Sequence, residues 1–130
     1  DGSAVDVGAA VVRDSDVPQV VLLATGSEVS LCMEAADELA RAGITSRVVS
    51  MPSWDRFRAQ PAEYRRDVLP PWLPVLSVEA ASTFGWAAYA TDSIGIDRFG
   101  ASAPGGVVLD KLGINVANVV ARAAALVNKD

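Results

Sequence analysis

The sequence predicts a three-layer α/β domain in which helices cover both faces of a mostly parallel sheet. Val20–Leu23 is an uninterrupted apolar run, as in a strand that is buried on both faces. Apolar residues then recur at helical spacing over residues 27–41, and a second apolar run begins at Arg47. A strand, a helix and a strand in this order predict a parallel pair joined by a right-handed crossover.

The chain before this unit predicts a linker and an edge strand. Residues 1–7 are small and polar and are expected to be a lead-in, so that the domain itself covers residues 8–128. Ala9–Arg13 reads as a short strand, and Asp14–Pro18 reads as a turn. We therefore expect Ala9–Arg13 to return antiparallel beside Val20–Ala24, at the edge of the sheet.

The helix over residues 27–41 carries its own start and stop signals. Thr25 and Glu28 have the spacing of a capping box, and Gly43 is placed to end the helix in a left-handed conformation. Asp37 and Arg41 are spaced for an ion pair four residues apart on the exposed face.

The remaining elements follow from apolar runs and proline positions. Three prolines, at 70, 71 and 74, predict an extended passage before a third buried strand. The predicted elements are strands at Arg47–Met51, Val75–Glu79 and Ser93–Arg98, a helical turn at Ser53–Gln60, helices over 61–68, 84–91 and 107–112, and a last helix capped by Asn115. Four or five strands with helices between them complete the three layers.

Composition excludes several classes of function. The formal net charge of the 130 residues is −5 and no basic run occurs, which argues against a nucleic-acid surface. No apolar run approaches the length of a membrane span. A single cysteine, Cys32, suits a reducing cytoplasm, and histidine, the commonest general base and metal ligand, is absent. The start has neither Met nor a signal peptide, so we expect a piece of a longer chain.

Several motifs in order carry a resemblance to a known family. The segments ATGSEV, RVVSMPSWDRFRAQ with YR after it, VLSVEA, GWAAYA, and RFGASAPG with LDKLG after it resemble the C-terminal domain of bacterial transketolases over about residues 8–127. The family implies a mixed five-stranded sheet with one antiparallel strand, in agreement with the interpretation of Ala9–Arg13. The chain departs from many relatives at residues 80–83, where a glycine often follows VEA.

The resemblance implies a parent enzyme and a role for this chain. Transketolases transfer two-carbon ketol units between sugar phosphates, with thiamine diphosphate and a divalent metal (magnesium or calcium) held between the first two domains of a homodimer. The resemblance therefore implies a non-catalytic C-terminal domain that supports subunit structure and dimerisation, is inactive when isolated, and holds no catalytic, cofactor or metal-binding residue. Its partners would be the N-terminal and middle domains. The alternatives are a regulatory module that binds a small molecule near Gly26 and a stand-alone subunit of a split thiamine enzyme.

Two sets of residues are candidates for binding. Thr25, Gly26 and Ser27 lie where a strand ends and a helix begins, a place suited to an anion; the alternative is that Thr25 and Glu28 simply cap the helix. An interface in the intact dimer is predicted from an aromatic cluster and a following loop, with burial in the core as the alternative. Its residues are Trp86, Tyr89, Arg98, Phe99 and Ser102.

A cationic stretch is the last feature of the sequence that bears on binding. Its arginines are Arg56, Arg58, Arg65 and Arg66. They could guide sugar phosphates by long-range attraction. Because Asp55, Glu63 and Asp67 interleave with them, a solvated and self-paired surface is the stronger interpretation.

Overall fold

The computed structural model of the chain describes residues 8–26, 28–79, 91–95 and 114–128, which form a mixed sheet with helices on both faces. The strands are β1 (Ala10–Arg13), β2 (Val20–Ala24), β3 (Ser46–Ser50), β4 (Val75–Glu79) and β5 (Asp92–Gly95), and their order in the sheet is β1-β3-β2-β4-β5. The helices are α1 (Glu28–Arg41), α2 (Trp54–Arg58), α3 (Ala62–Val68) and α4 (Val116–Val127). The α/β class is therefore confirmed.

The edge strand β1 lies beside a different strand from the one predicted. It is antiparallel, as expected, but it pairs with β3 and not with Val20–Ala24. The reason is that β2 already has a parallel neighbour on each side, β3 and β4. All five residues of β2 are buried, whereas Val11 and Val12 of β1 are partly exposed, so the more apolar strand takes the centre of the sheet.

Alternate residues of the strands supply two separate cores. Val20 and Leu22 face a cluster that α1 and α4 cover, and Val119 of α4 is fully buried in it. Val21 and Leu23 face the other cluster, which Phe57 of α2 and Val68 of α3 close. The period of two along β2 thus divides the side chains between two helical layers.

Helix ends follow the local signals. The Asn118 N–H donates to Asn115 Oδ1 at 2.8 Å, which confirms Asn115 as the cap of α4. Gly43 has a φ of +83°, and the Ile44 N–H donates back to the Leu39 carbonyl at 2.9 Å, so α1 ends as predicted. Within the described residues, no helix combines the length and hydropathy that a membrane crossing requires.

Three local predictions are wrong or lie outside the described residues. Asp37 does not pair with Arg41, because Arg13 reaches it from β1 at 2.6 Å and Arg41 turns to Glu38. The proline passage is not simply extended, since the Leu73 N–H donates to the Pro70 carbonyl at 3.1 Å and closes a turn. The predicted helices over 84–91 and 107–112, and the end of the strand after residue 95, lie outside the described residues.

The first described residue is held tightly against α2. The Gly8 carbonyl accepts a hydrogen bond from the Ser53 N–H at 3.2 Å, and Tyr64 Oη donates to the Ala9 carbonyl at 2.7 Å. Gly8 has a φ of +90°, and a Cβ atom placed on it would lie 2.2 Å from the Phe57 nitrogen and 2.4 Å from the Ser53 carbonyl oxygen. Glycine is therefore required at this position.

Gly8→Ala is expected to lower the free energy of unfolding by about 3 kcal/mol, because backbone strain and a clash with immovable backbone atoms add together. The matched control is Gly26→Ala, since Gly26 also has a positive φ (+57°) but nothing lies within 4 Å of its added Cβ. Gly26→Ala is expected to lower the free energy of unfolding by about 1 kcal/mol. Urea unfolding followed by circular dichroism measures both, and equal losses would contradict the clash.

Arg47 ties three segments together at the amino end of the parallel strands. Its Nε and one terminal nitrogen donate to the two carboxylate oxygens of Asp14, at 3.0 and 3.1 Å. Another nitrogen donates to the carbonyls of Asp67 and Val68, at the end of α3. Burial raises the pKa of Asp14, but the hydrogen bonds from Arg47 and Ser15 and the charge of Arg47 outweigh it, so that the pKa is lowered from 3.8.

A carboxyl group whose pKa is lower in the folded chain stabilises the fold above the unfolded-state value and loses that effect as the pH falls through the folded-state value. We therefore expect the wild-type chain to lose more free energy of unfolding between about pH 5 and about pH 3 than Asp14→Asn does. Urea unfolding at the two pH values measures the difference. Asp16→Asn, an exposed change in the same loop, is the control, and an unchanged pH dependence in Asp14→Asn would contradict the prediction.

Candidate functional site

The predicted anion site lies at the turn between β2 and α1. Gly26 is exposed and Thr25 is half-buried. The neighbouring strand ends at the same level, because the Met51 N–H donates to the Ala24 carbonyl at 2.8 Å. The carboxyl ends of parallel strands are the usual place for ligands in open α/β sheets, so the turn has the right position in the fold.

The first turn of α1 leaves little room for an added anion. The Glu28 N–H donates to the Thr25 carbonyl and the Val29 N–H to the Gly26 carbonyl, both at 3.2 Å. Glu28 is 6% exposed, and its carboxylate already places a negative charge at the positive end of the helix. Ser27 lies outside the described residues. Anion binding by Thr25, Gly26 and Ser27 stays a prediction.

Cys32 lies one helical turn beyond Glu28 and is fully buried. Burial, with the negative charge of Glu28 as a smaller cause, raises the pKa of the thiol to about 12. Since the thiolate is the reactive form, this cysteine is a core residue and an unreactive one.

Native chain is expected to react with iodoacetamide at about pH 8 far more slowly than urea-unfolded chain, because the buried thiol neither ionises nor meets the reagent. Mass spectrometry of the alkylated chain measures the rates. A variant that combines Ser30→Cys with Cys32→Ala is the control, since residue 30 is exposed on the same helix. Equal rates for Cys32 and for the cysteine introduced by Ser30→Cys would contradict the assignment.

A second concave site lies on the other face of the sheet, and the sequence interpretation missed it. This groove, the α2–α3 groove, has a volume of about 260 Å³ and is lined by Phe57, Ala62, Arg65, Arg66, Leu69 and Pro71. The prediction of a self-paired surface holds for Arg58, which pairs with Asp55 at 2.8 Å. Arg65 instead donates through Nε to the Gln60 carbonyl. The spacing of residues 62, 65, 66 and 69 on one helix face was the signal that could have revealed the groove.

The other predicted site residues are not tested by the structure. Trp86, Tyr89, Arg98, Phe99 and Ser102 lie outside the described residues, so the interface predicted from them stays a prediction. Among the residues that the structure describes, no group of three or more His, Cys, Asp or Glu side chains could hold a metal ion.

Comparison with known proteins gives a consistent result. A family model described as the transketolase-like TK C-terminal domain matches residues 8–115. A transketolase of Nostoc sp. (strain PCC 7120) is 51% identical over 124 residues, which are 92% of this chain and 18% of that protein. A transketolase of Bacillus subtilis is 49% identical over 131 residues, which are 96% of this chain and 20% of that protein. The chain thus spans about a fifth of the length of these curated relatives.

Solved structures agree in fold. A transketolase from Leishmania mexicana superposes with a TM-score of 0.89 at 47% identity, over 95% of this chain and 18% of that one. A structure described as a split gene transketolase, inactive beta4 tetramer, superposes with a TM-score of 0.67 at 26% identity, over 92% of this chain and 42% of that one.

Proposed function

This chain belongs to the family of transketolase C-terminal domains, and from that premise we propose that it serves a transketolase as a non-catalytic domain that supports subunit structure and dimerisation. The observation that carries the proposal is the match over residues 8–115 together with the chain's share, about a fifth, of its relatives' length. About four fifths of these transketolases lie outside the matched region, and we assign the catalytic residues to domains in that part.

The proposed parent enzyme transfers two-carbon ketol units between sugar phosphates. Thiamine diphosphate and a divalent metal, magnesium or calcium, would be bound by the N-terminal and middle domains, which are the proposed partners of this chain in a cytoplasmic homodimer. The contribution proposed for this chain is a rigid, well-packed unit. Its two cores support that role. The bond to Gly8 holds the first described residue against α2, and Arg47 ties the β1–β2 loop to the end of α3.

The isolated chain is expected to bind no thiamine diphosphate in calorimetry and to show no turnover of xylulose 5-phosphate, because the proposal assigns the cofactor and the reacting groups to other domains. A chimera in which this chain replaces the last domain of the Bacillus subtilis relative is expected to be an active dimer. The relative truncated before its last domain is the control. Turnover by the isolated chain, or a folded but inactive chimera, would contradict the proposal.

A second candidate is a stand-alone subunit of a split thiamine enzyme. The supporting observation is the structural likeness to the split gene transketolase described above. Mixing the isolated chain with the truncated relative separates the two candidates. A stand-alone subunit would restore activity when added as a separate polypeptide, whereas a domain that works within one chain would restore it only in the chimera.

A further inference from the structure

We propose that the α2–α3 groove, together with Trp72 beside it, is a docking surface for an acidic segment of the transketolase polypeptide that precedes this domain. The inference rests on the proposed function, since it requires a parent chain. Four features of the described residues support it: the pairing of the arginines, the division of charge around α3, the apolar lining, and the place where the chain enters.

The two groove arginines differ from most of the others in their partners. Five arginines each pair with a carboxylate in the described part of the chain: Arg13, Arg41, Arg47, Arg58 and Arg122. Within that same part, Arg65 bonds the Gln60 carbonyl and neither it nor Arg66 contacts a carboxylate. Two guanidinium groups in one concavity, with no carboxylate partner among the described residues, have the chemistry that recognises carboxylates.

Charge is divided between two faces of α3. Arg65 and Arg66 lie on the face that lines the groove, with Ala62 one turn before them. Glu63 and Asp67 are both exposed. The helical period of about 100° per residue turns Asp67 to the opposite side of α3, whereas Glu63 lies roughly 60° around the helix from Arg66 and flanks the groove face. The groove is thus a cationic strip on a chain whose net charge is −5, which favours an acidic occupant.

The walls of the groove suit a protein segment. Phe57 forms a nearly buried apolar floor, 1% exposed, and Leu69 and Pro71 line the side. Trp72 follows Pro71 directly and is 78% exposed. Tryptophan and arginine are the residues most enriched among those that dominate binding at protein interfaces, and a largely exposed tryptophan gains most from being covered.

The path of the chain argues for the preceding polypeptide as the occupant. Gly8 is anchored to Ser53 and lies against the backbone of Phe57, the same residue that forms the groove floor. A segment before Gly8 therefore reaches the domain at α2. Tethering gives such a segment a high effective concentration, so that modest contacts are sufficient to keep it docked.

Hydrogen–deuterium exchange on the active chimera and on the isolated chain tests the proposal. Docking is expected to slow exchange of residues 57–72 about tenfold in the chimera relative to the isolated chain. Arg66→Glu and Trp72→Ala are expected to abolish this slowing of exchange. Asp67→Lys, a charge reversal on the opposite side of the same helix, and Trp72→Phe are the matched controls and are expected to keep the slower exchange. Exchange of β2 in each variant reports whether the domain remains folded.

The outcomes separate the two proposals. The docking surface is overturned, and the proposed function is left standing, if the chimera is active but exchange over residues 57–72 is not slower. The same holds if Arg66→Glu and Trp72→Ala leave the slower exchange unchanged. A folded but inactive chimera overturns the proposed function and the docking surface with it. Light scattering tests a second copy as the occupant. If the isolated chain dimerises with rising concentration and Trp72→Ala abolishes the dimer, the groove binds a second copy and the proposal is overturned. If inorganic phosphate slows exchange over residues 57–72 in the isolated chain, the groove binds a free anion and the proposal is likewise overturned.

Discussion

Burial of β2 on both faces is the constraint on which the rest of the structure depends. Its five residues are completely shielded from water, so each face of the strand needs a helical layer and each edge needs a neighbouring strand. The parallel partners β3 and β4 occupy the edges. The more exposed strand β1 therefore lies at the edge of the sheet. Each Å² of apolar surface removed from water stabilises the fold by about 25 cal/mol, so a strand order that exposed β2 would cost much free energy.

Ion pairs then fasten the periphery to this centre. Arg47 joins the β1–β2 loop to the end of α3, and Arg13 joins β1 to α1. Arg122 holds the carboxylate of Asp92 with two bonds of 2.8 Å, which links α4 to β5. Exposed pairs of this kind add little free energy, but forked geometry fixes the orientation of one element on another. These pairs fix the positions of described elements on one another, which suits the proposed structural role.

The two concave sites have opposite electrostatic character, and this decides how each is interpreted. At the β2–α1 turn, the first amides of the helix are bonded and a buried glutamate supplies negative charge. In the α2–α3 groove, neither Arg65 nor Arg66 lies within ion-pair distance of a carboxylate of the described residues. The anion site that the sequence suggests therefore has the weaker chemistry, and the groove that it does not suggest has the stronger.

Local features of the fold were determined by the sequence alone, because their causes lie within a few residues. The apolar run of β2, the period of α1, the cap at Asn115 and the end at Gly43 are all of this kind. Family membership could also be predicted, since it depends on motifs and their order. The tertiary structure alone decided which strand β1 joins, that Asp37 pairs with Arg13 and not with Arg41, and that Arg65 and Arg66 share a groove with Phe57. The first two depend on competition between partners distant in the chain for one strand edge or one charge. The third depends on how α2 packs against α3, which follow each other in the chain, and all three are settled only when these elements are packed together.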